Sequence, residues 1–197
     1  MSEAYNGENQ IREGRAVMPT VYLSPSTQEY NPYYDGIGNE EYYMNLIVDA
    51  MIPYLDASGI RWLRNSTSDT ALTSAQASNA AGADLHVALH SNAAPEELSG
   101  KLQGSDVYYY TTSTEGRRAA EIFANNLKLI YPMPDNVQVR PTTALAELRR
   151  TAAPSVLIEL AYHDNPDDAN WIRMNIRDIA RNLVLSIADF FAVPFEG

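Results

Sequence analysis

The run "PSVLIELAY", residues 154–162, constrains the fold more than any other segment. It is apolar at nearly every position. A strand with one face in water would alternate, and a surface helix would show a polar stripe. The run therefore reads as a strand buried on both faces, which belongs in a sheet covered by helices on both sides. "DLHVALH" reads the same way, and "TVYLS", ended by Pro25, supplies a first strand.

Helical and strand patterns alternate around these runs. A helix is expected from Glu40, capped by Asn39, with Met44, Ile47, Val48, Met51 and Leu55 on one face. Pro53 should kink or end it near its last turn, and Gly59 should stop it. "IRWLRN" is a second strand, and "TALTSAQASNAAG" an Ala-rich helix ending at Gly82. "SDVYYYTT" is a fourth strand, followed by a helix over 114–130, a short strand "NVQVRP" and a helical turn "TTALAELRR". Residues 166–192 read as mainly helical, starting at Pro166 with Asp167 and Asp168 in the first turn. These elements predict one α/β domain over residues 19–197, with a largely parallel sheet of five or six strands and helices on both faces. Residues 1–18 are polar and aperiodic and read as a flexible arm, with Met18 as an alternative start.

The 25 acidic against 14 basic residues give a net charge of -11, which argues against a nucleic-acid partner and against binding an anionic membrane through bulk charge. The basic pairs Arg117-Arg118 and Arg149-Arg150 are isolated and fit solvated faces or local salt bridges. There is no cysteine, so disulfides, thiolate nucleophiles and Cys-zinc sites are excluded. No apolar run reaches the roughly 20 residues that span a bilayer. The N-terminus lacks the apolar core of a signal peptide, so the expectation is synthesis in the cytoplasm without that export route.

Ligand sites in open α/β sheets gather at the carboxyl ends of strands. His86 and His90 stand four residues apart, a metal-binding spacing on a helix. In a strand the same spacing separates them by about 13 Å, too far for one ion. His90 falls at the strand's end and is the candidate site residue; His86 falls at its start and reads as a hydrogen-bonded core residue. The loop "SNAAP" after His90 leaves room for a ligand. Glu159 lies inside an apolar strand, where a carboxylate needs either a partner, such as Arg149 or Arg150, or a raised pKa suited to proton transfer. Glu40 and Glu41 open the first helix; the helix dipole accounts for one of them.

Several segments, taken in order, resemble the zinc-dependent N-acetylmuramoyl-L-alanine amidases of the Amidase_3 type. "EYYMN", Glu41 to Asn45, is similar to the family's helix-opening Glu ligand followed by Asn. "NAAGADLHVALHSNAA" is similar to its strand ending in His-x-Asn-Ala, which implies His90 as a zinc ligand. "GSDVYYY" resembles the following Gly-x-x-Val-Tyr-Tyr strand, and "LRRTAAPSVLIELAYHDNP" the segment carrying the catalytic glutamate, here Glu159. The resemblance implies one Zn2+ held by Glu41 and His90, with Glu159 as general base and acid on zinc-activated water.

One departure stands out. The family's first ligand is a histidine after strand one, and here that turn reads "LSPSTQEYN", with Thr27 near the histidine's place. Gln28 could supply an amide oxygen, His163 could swing to the metal from the loop after Glu159, or zinc binding could be weak or lost. The function so implied is cleavage of the amide between N-acetylmuramic acid and L-alanine in peptidoglycan. The alternatives are a non-catalytic peptidoglycan- or muropeptide-binding module, or the same chemistry on another N-acylated peptide. Asn92, Tyr30 and Tyr33 are candidate substrate contacts, whereas Tyr108 and Tyr110 fit sheet-edge packing. The substrate lies outside the cytoplasmic membrane, so the expectation is action on the wall after release, as in phage lysis, or in sporulation or wall turnover.

Overall fold

A computed structural model describes residues 18–197. The expected N-terminal arm, apart from Met18, lies outside the described residues.

Six strands form one sheet: β1 (Thr20–Pro25), β2 (Arg61–Arg64), β3 (Leu85–Asn92), β4 (Ser105–Tyr110), β5 (Val137–Thr142) and β6 (Ser155–Tyr162). Their order is β2-β1-β3-β6-β4-β5. All pairings are parallel except that between β4 and β6. The helices are α1 (Glu40–Ala57), α2 (Ala71–Ala81), α3 (Thr114–Leu127), α4 (Ala146–Arg150), α5 (Pro166–Met174) and α6 (Ile176–Phe191). The α/β class and the largely parallel sheet are those expected from the sequence, and the helical tail divides into two helices at Asn175.

Local chemistry sets the boundaries. Asn39 caps α1, its side chain accepting from the Tyr42 amide at 2.8 Å. Pro53 lies inside α1, and the helix runs one further turn to Ala57. Its missing N–H therefore ends nothing by itself, and Gly59, at φ +67°, carries the left-handed turn that follows. Gly82 closes α2 in the left-handed region, as its sequence position indicates.

The two faces of the sheet are unequal. Leu85, Val87 and Leu89 of β3 point into the main core, shared with Met44, Ile47 and Met51 of α1, Phe123 and Leu127 of α3, and Leu183 and Val184 of α6. The alternating residues His86, Ala88 and His90 point to the other face, which α2 and α4 cover more thinly. There Ala88, Leu148 and Leu157 form a small cluster with Tyr108, Tyr110 and Leu145. Tyr108 and Tyr110 thus pack the sheet, as expected. At the carboxyl ends of β1, β3 and β6 this thin cover leaves a cleft.

Candidate active site

The cleft, of about 410 Å³, is lined by Ser24, Ser26, Gln28, Tyr30, His90 and Glu147, among others. A smaller recess of about 170 Å³ shares Gln28, His90 and Glu147 and reaches Glu159. Strand geometry puts the reactive pair together: β3 and β6 are parallel neighbours, and His90 is opposite Glu159. Because β4 is antiparallel to β6, its amino end lies beside the site, and Asp106 stands opposite Glu159 on the other side.

Glu159 is the anomalous group. Its Oε2 is buried without a hydrogen-bond partner, and among the described residues no ion pair forms with Arg149, Arg150 or any other base. Burial pushes its pKa up to about 7; the His90 charge opposes the rise, and the Glu40 and Asp106 carboxylates add to it. Such a group exchanges its proton at neutral pH.

His90 meets Glu40, not Glu41. Glu40 Oε1 lies 2.8 Å from His90 Nδ1, and Glu40 is buried. The expected ligand Glu41 is therefore corrected to its neighbour: Asn39 fixes the helix start, so Glu40 as first helical residue turns inward and Glu41, about 100° further round the helix, turns away. Burial would raise the Glu40 pKa, but the His90 hydrogen bond and charge and the Asn31 hydrogen bond hold it below the usual carboxylate value. Burial likewise disfavours the charged His90 ring, yet the Glu40 hydrogen bond and the Glu159, Glu40 and Glu147 charges outweigh it and raise its pKa.

Gln28 completes the cluster, with Nε2 3.2 Å from His90 Nδ1 and 3.4 Å from Glu40 Oε1. It, rather than Thr27, is the residue of this turn that reaches His90 and Glu40. His163 does not reach the cluster. It is buried on the opposite face, with Nδ1 3.0 Å from both the Ser91 hydroxyl and carbonyl oxygens, and its ring stacks on Tyr33. A bulge explains this: between the pairs His90–Glu159 and Asn92–Tyr162, β6 carries one residue more than β3, which turns the following residues over.

The candidate substrate contacts separate. Tyr30 is exposed, lines the cleft and donates to Gln28 Oε1 at 3.3 Å. Tyr33 is 1% exposed between His163 and Tyr43, so it is a core residue and the expected contact with substrate is corrected. Asn92 lies past the bulge, its carbonyl accepting from the His163 amide, and is not among the residues lining the cleft.

Two members of this neighbourhood were not anticipated. Asn31 donates to Glu40 Oε2 at 2.7 Å and to Gln28 Oε1 at 3.2 Å. Glu147, buried on α4 at the wall of the cleft, pairs with His86 Nε2 at 2.9 Å. A carboxylate between Leu145 and Leu148 was the available signal for Glu147. His86 is the hydrogen-bonded core residue expected, stacked also on Tyr22.

A catalytic zinc takes three protein ligands and leaves one position for water. His90 and Glu40 are of the right type, but the third corner is an amide that presents its N–H side. Among the described residues no three His, Cys, Asp or Glu are grouped to hold a metal. The residues present do not fit a catalytic zinc.

A mostly parallel α/β sheet thus carries an acid–histidine pair and a buried glutamate at its strand ends. The chain belongs to the Amidase_3 family, N-acetylmuramoyl-L-alanine amidase, whose model matches residues 29–189. That match begins one residue after Gln28. The family is generally zinc-dependent. The N-acetylmuramoyl-L-alanine amidase LytC of Bacillus subtilis (strain 168) is 28% identical over 174 residues, covering 85% of this chain and 34% of LytC. The chain thus spans about a third of the length of that relative. Among solved structures, the N-acetylmuramoyl-L-alanine amidase AmiC2 of Nostoc punctiforme has a TM-score of 0.78 at 19% identity, covering 88% of this chain and 97% of that one. The N-acetylmuramoyl-L-alanine amidase from Clostridium difficile 630 has a TM-score of 0.79 at 16% identity, covering 89% and 97%. Both have the fold described above.

Proposed function

We propose that this domain is a peptidoglycan hydrolase that cleaves the amide between N-acetylmuramic acid and the L-alanine of the peptide stem. The observation that carries the reading is Glu159: a buried, unpartnered carboxyl oxygen opposite His90, with a pKa near 7, in the small recess beside the cleft at the strand ends. Family membership supports the choice of substrate.

Because the donors fall short of a catalytic zinc set, the chemistry is assigned to this chain's own side chains. Glu159, as carboxylate, takes a proton from the water that attacks the amide carbonyl carbon. The oxyanion so formed faces the His90 ring, whose charged form Glu40 favours. Glu159 then passes its proton to the alanine nitrogen, the C–N bond breaks, and a carboxylate and a free amine leave. Consistent with a substrate in the wall, the proposed place of action is peptidoglycan reached after release of the protein.

Incubation with purified peptidoglycan, followed by labelling of new N-terminal amines, tests this. Release of stems with N-terminal alanine is expected, with a loss of at least about 100-fold in Glu159→Gln. Absence of new alanine N-termini with folded protein would sink the hydrolytic reading. A second reading, a non-catalytic muropeptide-binding module, is favoured by one observation, Gln28 in place of the family's histidine. It predicts saturable muropeptide binding by the parent protein with no cleavage.

A further inference from the structure

We infer that Gln28 closes this cleft to zinc, and that the Glu40 carboxylate, accepting from both His90 and Gln28, takes up the space where the metal would sit. Asn31 has two amide hydrogens; one goes to Glu40 Oε2 at 2.7 Å and the other to Gln28 Oε1 at 3.2 Å. The Glu40 carboxylate only accepts, so it fixes which end of the Asn31 amide faces it. Asn31 in turn fixes Gln28, whose Oε1 also accepts from Tyr30 at 3.3 Å. The face of Gln28 left for Glu40 is therefore its NH2, which donates to Glu40 Oε1 at 3.4 Å.

Turning Gln28 over would set its oxygen against the Glu40 carboxylate and NH2 against NH2 at Asn31. Turning Asn31 to compensate would set its oxygen against the Glu40 carboxylate. Each move strands a partly buried polar group. The backbone holds the loop in the same place: the Asn31 amide donates to the Gln28 carbonyl and the Glu40 amide to the Asn31 carbonyl. At 2.8 Å from a carboxylate oxygen, His90 Nδ1 is engaged with Glu40, so the nitrogen turned toward Gln28 and Glu40 is already satisfied. The site thus lacks its third ligand, presents a donor in its place, and satisfies the other two without a cation.

Zinc titration of the chelator-treated full chain, with metal content measured directly and affinity by competition with a chromogenic chelator, tests this without substrate. Its outcome is therefore separate from that of the hydrolysis assay. The parent chain is expected to hold much less than one equivalent at micromolar free zinc, and Gln28→Ala to behave alike. Gln28→His should bind one equivalent on the order of 100-fold more tightly, and His90→Ala in that background should abolish the gain. Retention of one equivalent by the parent chain would overturn the inference. So would weaker zinc binding by Gln28→Ala, which would make the amide a ligand, or a folded Gln28→His, checked by circular dichroism, with no gain. Should Gln28→His fail to fold, the parent and Gln28→Ala titrations decide alone.

Discussion

The Glu40 carboxylate lies 2.8 Å from His90 Nδ1, so the first residue of α1, not the second, turns in to meet the histidine. Removing Glu40 leaves the His90 and Asn31 donors without their acceptor. Glu40→Ala is expected to cost about 2–3 kcal/mol, whereas Glu41→Ala, which loses mainly a favourable charge at a helix start, should cost less than about 1 kcal/mol. Urea denaturation of both variants measures the difference, and equal costs would contradict the placement.

Glu159 gives a pH dependence of opposite sign to that of Glu40. Its native pKa, about 7, is raised above the ordinary 4.5, so the folded state holds this proton more tightly than the unfolded one. Stability is therefore lost as pH rises from about 4.5 to 7 and is flat above, by about 3 kcal/mol in total. Glu159→Gln removes the loss: it should be more stable than the parent at pH 8 and nearly equal to it at pH 4.5. Glu40 is depressed and contributes above its ordinary 4.5; His90 is raised and contributes fully below its ordinary 6.5. Their pairing is strongest between those values. Denaturation curves of the parent and Glu159→Gln at several pH values separate the two effects.

His163 is an internal fastening on the core side of the sheet. His163→Ala removes its stacking on Tyr33 and its hydrogen bonding to Ser91, and should cost about 2–4 kcal/mol. It should leave the per-molecule hydrolytic rate of the folded fraction within a few-fold. A loss of rate comparable to that of Glu159→Gln, in protein that remains folded, would return His163 to the chemistry.

These outcomes show which parts of the molecule its sequence made legible. The alternation of buried strands and amphipathic helices gave the sheet and its helices, and strand geometry separated His90 from His86. Glu159 was visible because a carboxylate in "VLIEL" is costly without a reason. Choosing Glu40 over Glu41 was not possible, because both stand in the same first turn and only the cap's geometry sets which one faces inward. His163 and Tyr33 were misplaced for a related reason. A one-residue bulge in β6 and the path of the loop after β1 decide which side of the sheet they occupy, and neither leaves a periodic signal. Asn31 shows its role only through what it holds, the carboxylate on one side and the amide on the other.

Behind the cleft, His86 and Glu147 form a buried pair, 2.9 Å apart, between β3 and α4. Nδ1 of His86 has no hydrogen-bond partner, so the pair's desolvation is only partly offset. Removing one member leaves the other stranded: His86→Leu or Glu147→Leu alone should cost about 3–5 kcal/mol. Replacing both exchanges a costly polar pair for apolar packing beside Ala88, Leu148 and Leu157, and should cost less than either single change. A double-mutant cycle by urea denaturation measures this coupling, and additive costs would show that the two side chains act independently. Since Glu147 also lines the cleft, the same variants report on its use: a double variant that is stable yet takes up muropeptide poorly would assign its carboxylate to substrate, and one with unchanged uptake would confine it to holding α4 on the sheet.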